Sequence, residues 1–197
     1  MLPELMVLSL VAGLLALQRP ATAPAPTRVV RFTPPAELPA RSSSGECQAG
    51  SVAAGYRADA YRCTAGASTY DPCFSTTRAA HVLCDVDPRD PARALVVTFS
   101  NTPVPAHEAA PFGSRAWFIE LTDGSTCTPI AGTRREIGGL IEVFGCRFAQ
   151  PADADGTLGD LDASRDVWTL QKVLLNKKVE PQTIKSVMMT PIATAWQ

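Results

Sequence analysis

Acid–base and nucleophilic chemistry in this chain has to be built from few parts. There are two histidines, His81 and His107. A hydrolase triad needs a Ser or Cys nucleophile, a His base and an orienting acid brought together. Ser51 with His81 and either Asp59 or Asp85 is the combination on offer. No Gly-x-Ser-x-Gly elbow is present, because Ser51 sits in AGSVAAG. His81 opens a strand-like run, where a structural role is the commoner one, and His107 lies in a proline-rich loop. The scattered acids, Glu37 and Glu46 among them, show no pairing that suggests glycoside hydrolysis. There is no P-loop, no dinucleotide fingerprint and no thioredoxin-type CxxC. The expectation is a non-catalytic protein, with a secreted hydrolase using Ser51 and His81, or scattered acids, as the enzymatic alternative.

Two further constellations could hold a ligand. In PADADGTLGDLDAS (residues 151–164), Asp153, Asp155, Gly156, Thr157 and Asp162 partly match a calcium loop, with oxygens at alternate positions and a glycine for the turn. Pro151 stands at the first ligand position and Asp162 replaces the long bidentate Glu at the last. A solvated acidic loop is therefore the plainer reading, and calcium the only cofactor the sequence suggests. Arg57, Asp59, Tyr61 and Arg62 form the other group. Aromatic and guanidinium side chains together can take a glycan or peptide, but ion pairing and core packing explain the same residues.

Six cysteines, Cys47, Cys63, Cys73, Cys84, Cys127 and Cys146, are separated by 15, 9, 10, 42 and 18 residues. Zinc sites favour pairs two to four residues apart with histidine nearby. Three disulfides are the expectation instead, in an oxidising compartment. Six cysteines allow fifteen pairings. Cys47–Cys63, Cys73–Cys84 and Cys127–Cys146 is the arrangement we favour, since Cys73 and Cys84 flank a turn-like segment. Each bridge would close a loop of ~10–20 residues, worth roughly 3 kcal/mol through lost chain entropy.

The 197 residues carry a formal charge of −1. That balance argues against nucleic acid, which needs an excess of Lys and Arg on one face. LMVLSLVAGLLAL (residues 5–17) is short of the ~20 residues of a membrane span and suits the apolar core of a signal peptide. Residues 1–23 therefore read as signal peptide or N-terminal anchor, with a membrane as partner only if the segment is retained. Residues 24–45, rich in Pro, Ala and Ser, read as a disordered linker, with a weak strand signal at 28–32. Residues 46–197 read as a single β-rich domain.

Within that domain the sequence predicts one short helix over YRADAYRCTA (residues 56–65), capped by Gly66. Strands follow. ALVVTFS (residues 94–100) alternates, with Leu95, Val97 and Phe99 on one face. Asp123-Gly124 between alternating runs signals a type I′ hairpin. Asp87 to Pro91 (DPRDP) forces a break. Residues 167–176 fit helix or strand by periodicity; the turn-like 177–182 and the β-prone 183–189 favour strand. Trp117, Trp168 and Trp196 read as core residues. Pro191 places the last strand at an edge or bulge.

The pattern Cys47-x-x-x-Ser51 through Arg57-x-Asp59-Ala60-Tyr61-Arg62-Cys63, then Asp71-Pro72-Cys73-Phe74 and Cys84, resembles a group of uncharacterised secreted, cysteine-containing proteins of high-GC bacteria. The closing TPIATAWQ is similar to the end of that group too. Gln48 stands where an aromatic would be expected. The likeness covers most of residues 45–197 and implies export and a stapled β-rich domain, but no activity. The fold expected is mainly β, α+β at most: a small disulfide-stapled barrel or sandwich with one short helix near its start. The function expected is an exported, non-catalytic module for an envelope or extracellular ligand, with a calcium-stabilised structural protein as a further alternative.

Overall fold

A computed structural model describes residues 23–101, 103, 116–149, 156–158, 161–176 and 183–197. The chain is mainly β, and among the described residues the helical content is a single 3₁₀ turn, Pro91–Arg93. The strands form two closed ladders.

The first ladder is a five-stranded barrel of β2 (Ser42–Ala49), β3 (Ala60–Ala65), β4 (Ser68–Ser75), β5 (His81–Cys84) and β6 (Leu95–Phe99). Four neighbouring pairs are antiparallel. The ring closes because β2 changes partner along its length. Its first half pairs with β6 in parallel, Ser42↔Val96 to Gly45↔Phe99, and its second half pairs with β3. Gly45 sits at the hand-over, where an added Cβ would come within 2.3 Å of the Thr64 carbonyl oxygen. Beyond β6, the Asn101 side chain imitates one more ladder residue. It accepts from the Cys47 N–H at 3.0 Å and donates to the Cys47 carbonyl at 2.6 Å.

The helix predicted over 56–65 is not formed. Residues 60–65 are β3, and Gly66 (φ +61) opens the two-residue turn that joins Ala65 to Ser68. The positive φ that Gly supplies at a helix C-terminus is the same one it supplies at the first position of a II′ hairpin. The strand places Cys63 directly opposite Cys47, and that crosslink prevails over the local i,i+4 pattern.

All three disulfides pair in the arrangement favoured above: Cys47–Cys63, Cys73–Cys84 and Cys127–Cys146. Each spans neighbouring strands, with Cα atoms 4.1–4.2 Å apart, the spacing of opposed antiparallel residues. The first two pack together among Val82, Leu95 and Val97, in the cluster to which all five barrel strands contribute.

The second ladder holds β7 (Phe118–Leu121), β8 (Thr126–Pro129), β10 (Leu140–Arg147), β11 (Gly156–Leu158), β12 (Thr169–Asn176) and β13 (Thr183–Trp196), with the short β9 (Glu136–Ile137) paired on β10. It too returns on itself. The first half of β13 pairs with β12 and the second half with β7. Residues 169–176 are thus strand, as favoured above. A register shift between Ile192 and Thr194 follows Pro191, in keeping with the bulge expected there. The hairpin at Asp123-Gly124 is present, but only Gly124 takes a positive φ, so the turn is not type I′.

Residues 24–45 are not a disordered linker as far as they are described. β1 (Arg28–Val30) pairs in parallel with the end of β13, Arg28↔Thr194 to Val30↔Trp196. The Thr27 hydroxyl donates to the Ile192 carbonyl and accepts from the Trp168 N–H, each at 2.8 Å. Phe32 is buried in a cluster with Phe74 and Leu83 of the barrel and with Trp117, Phe118 and Trp196 of the second ladder. Proline removes backbone donors but leaves carbonyls and side chains free to pair, so a Pro-rich composition did not prevent docking. Apart from Ala23, the residues assigned above to a signal peptide or anchor lie outside the described residues. Among those described, no helix is long and apolar enough to cross a membrane.

Candidate functional site

The first barrel meets the second ladder along the aromatic cluster, and beside that seam lies a cleft of about 560 Å³. One wall comes from the barrel: Arg41 before β2, Tyr70 and Asp71 on β4, and the 85–93 connection after β5. The other comes from Trp117 and Phe118 at the start of β7, Thr126 and Thr128 on β8, and Gly145 and Arg147 on β10.

The DPRDP stretch, read above only as a break, shapes the first wall. Asp85 adopts φ 53°, a region that Asp tolerates better than most residues. From there its carboxylate takes Arg41 at 2.7 Å. Asp87 is gripped by two parallel bonds from Arg89, Nε at 2.9 Å and Nη2 at 2.7 Å. The Arg89 guanidinium reaches Glu120 at 3.5 Å and lies over the Phe118 ring, 5.4 Å from its centroid. The hydrogen bond from Arg89 holds the Asp87 carboxyl below the ordinary range, against the opposing effect of burial.

Other groups in the cleft are uncommitted. Among the described residues, Arg93 and Arg147 donate to no protein acceptor, and the Asp90 carboxylate accepts from none. Trp117 is 1 % exposed, yet its indole N–H has no acceptor among the described residues. A buried donor without a partner is uncommon and costs on the order of 1–3 kcal/mol.

The residues singled out from the sequence lie elsewhere. Arg57 is buried, and its guanidinium is spent internally: on Asp59 at 2.9 and 2.5 Å, on the Phe32 carbonyl at 3.0 Å and on the Gln197 carbonyl at 2.8 Å. It also lies 4.5 Å from the centroid of the Phe74 ring. The Asp59 carboxyl is held below its ordinary value, first by the Arg57 hydrogen bond. Tyr61 stacks near Phe99 at 6.2 Å, and Arg62 pairs across the ladder with Gln48. None of these four lines the cleft.

No described hydrogen bond joins Ser51 to His81, Asp59 or Asp85. The Ser51 hydroxyl donates to Asp71 and accepts from the Ala54 N–H at 2.8 Å, while Asp71 also takes the Val52 N–H at 3.0 Å. This network ties the 51–54 turn to β4. His81 Nδ1 lies 2.7 Å from the Ala79 carbonyl, Asp59 is held by Arg57 and Asp85 by Arg41. Of the calcium candidates, Asp153 and Asp155 lie outside the described residues. Thr157 falls in β11, and the exposed Asp162 accepts from the Ser164 N–H at 2.9 Å. The sulfurs of Cys63, Cys73 and Cys84 lie within 4.8 Å of one another, but all are disulfide-bonded and offer no thiolate.

The cleft was missed because its walls are drawn from residues 41 to 147 with no repeating interval. The charged DPRDP run was the one local signal. No protein-family model, curated protein or solved structure matches the chain.

Proposed function

We propose that the chain is an exported, non-catalytic binding module, held rigid by its disulfides, that takes a small extracellular or envelope ligand in the cleft between the barrel and the second ladder. The observation that carries this reading is a sizeable polar cleft lined by two guanidiniums, Arg93 and Arg147, that are uncommitted among the described residues. Its volume falls within the range of small-molecule sites, roughly 300–1,000 Å³. Three disulfides fit an oxidising compartment outside the cytoplasm.

Thermal-shift screening of a library of small metabolites and glycans tests the reading. A ligand that binds only the folded state raises the melting temperature by mass action. The comparison is with Thr128→Trp, which fills the cleft from an exposed position on β8. At least one compound should stabilise the wild type and leave that variant unmoved. Equal effects on both proteins, no hit at all, or ester or peptide turnover that disappears in Ser51→Ala would each overturn it.

A further inference from the structure

Resting on the cleft reading, we infer that the ligand is a short neutral oligosaccharide. The formal charges of the lining residues are balanced, four arginines to four aspartates, with the Asp71 carboxylate engaged by the 51–54 turn. Two of the pairs, Arg41–Asp85 and Arg89–Asp87, are already closed at 2.7 Å, so they present fixed dipoles rather than free charge. An extended polyanion would meet the carboxylates, and a polycation the guanidiniums. A hydroxyl donates and accepts at once, and a row of them can alternate between the two kinds of wall.

The remaining groups fit the same class. Guanidinium and carboxylate each present two parallel teeth, a geometry that a vicinal diol can meet with both oxygens. The uncommitted Arg93, Arg147 and Asp90 supply such teeth, with the Thr126 and Thr128 side chains nearby. A polar ligand gains little from leaving water, so its affinity depends on walls that need no reordering. Here the wall strands are crosslinked at Cys73–Cys84 and Cys127–Cys146, and the 85–93 connection is braced by its own ion pairs.

Titration calorimetry with cellotriose, maltotriose and chitotriose decides the matter, with trigalacturonic acid and citrate as anionic comparators, at 50 and 500 mM NaCl. We expect saturable one-to-one binding of at least one neutral trisaccharide, changing less than about twofold between the two salts because no net charge is screened. Arg93→Ala/Arg147→Ala should weaken it by about tenfold or more, with circular dichroism unchanged. Binding confined to trigalacturonic acid or citrate and lost at high salt would overturn the neutral class and leave the cleft reading standing. Binding of a neutral trisaccharide undiminished in both the double variant and Thr128→Trp would overturn the cleft itself. If no trisaccharide binds, the inference falls, and the library screen judges the cleft separately.

Discussion

Arg57 shows how a residue that looks like a recognition group can be spent on holding a chain together. Its fork takes Asp59, and its remaining amine joins carbonyls at both ends of the described chain, Phe32 and Gln197. Arg57→Ala takes the donor from Asp59 and the Phe32 carbonyl, while the Gln197 carbonyl keeps the Phe32 N–H, and losing one partner of a buried pair costs about 3–5 kcal/mol. Denaturant unfolding should register a loss at the lower end, because Asp59 is partly open to solvent. Arg57→Lys keeps the charge without the fork and should recover only part. The pH dependence follows from the same contact. The Asp59 carboxyl sits below its ordinary 3.8 when folded. A carboxyl lowered on folding adds stability that is complete above the unfolded pKa and lost as pH falls through the folded one. The gap between wild type and Arg57→Ala should therefore be widest near neutrality and narrow as pH drops below ~4. A gap that stayed constant down to pH 2 would mean that the ion pair contributes nothing.

The strands are where reading from sequence succeeded and failed for identifiable reasons. Leu95, Val97 and Phe99 alternate, and the barrel buries that face against the disulfides as alternation requires. The Cys73–Cys84 bridge was legible from the turn-like segment that its cysteines flank, whereas Cys63 was expected on a helix and is bridged to Cys47 across two strands. Residues 60–65 were misread, since Gly66 serves a hairpin turn as readily as a helix end and only the long-range pairing to β2 decides between them. Gly45 carried no signal at all, because its role depends on the Thr64 carbonyl of another strand. Gly45→Ala should push β2 off β3 where β2 passes from one partner to the other, costing about 1–3 kcal/mol as overpacking does, measurable as a lower denaturation midpoint. The disulfides also differ by position. Cys47, Cys63, Cys73 and Cys84 are fully buried, whereas Cys146 is only partly so. Reductant reaches an exposed sulfur first. Under native conditions, dithiothreitol with alkylation and mass mapping should open Cys127–Cys146 before the other two. Simultaneous loss of all three would show instead that reduction proceeds through global unfolding.

At the scale of the whole molecule, the two ladders are joined by a core that neither owns. Phe74 comes from the barrel, Trp117, Phe118 and Trp196 from the second ladder, and Phe32 from the segment ahead of both. Phe32 packs 5.1 Å from Phe74 and 5.3 Å from Trp117, measured between ring centroids, so one side chain touches both halves. The cleft depends on that seam, since Trp117 and Phe118 belong to the shared cluster and to the cleft wall at once. Phe32→Ala should cost about 3–5 kcal/mol, and its consequence should be more than a lower midpoint. The barrel keeps two disulfides, the second ladder keeps one, and each has its own second cluster, so removing the shared ring lets one half open before the other. In the wild type, near-ultraviolet and far-ultraviolet circular dichroism should trace one coincident transition, the mark of two-state unfolding. In Phe32→Ala the two signals should separate, while Phe32→Leu, which keeps apolar contact with both sides, should hold them together. Coincident curves in Phe32→Ala would mean that the seam is coupled through Trp117 and Trp196 alone and that the N-terminal segment is only a cover.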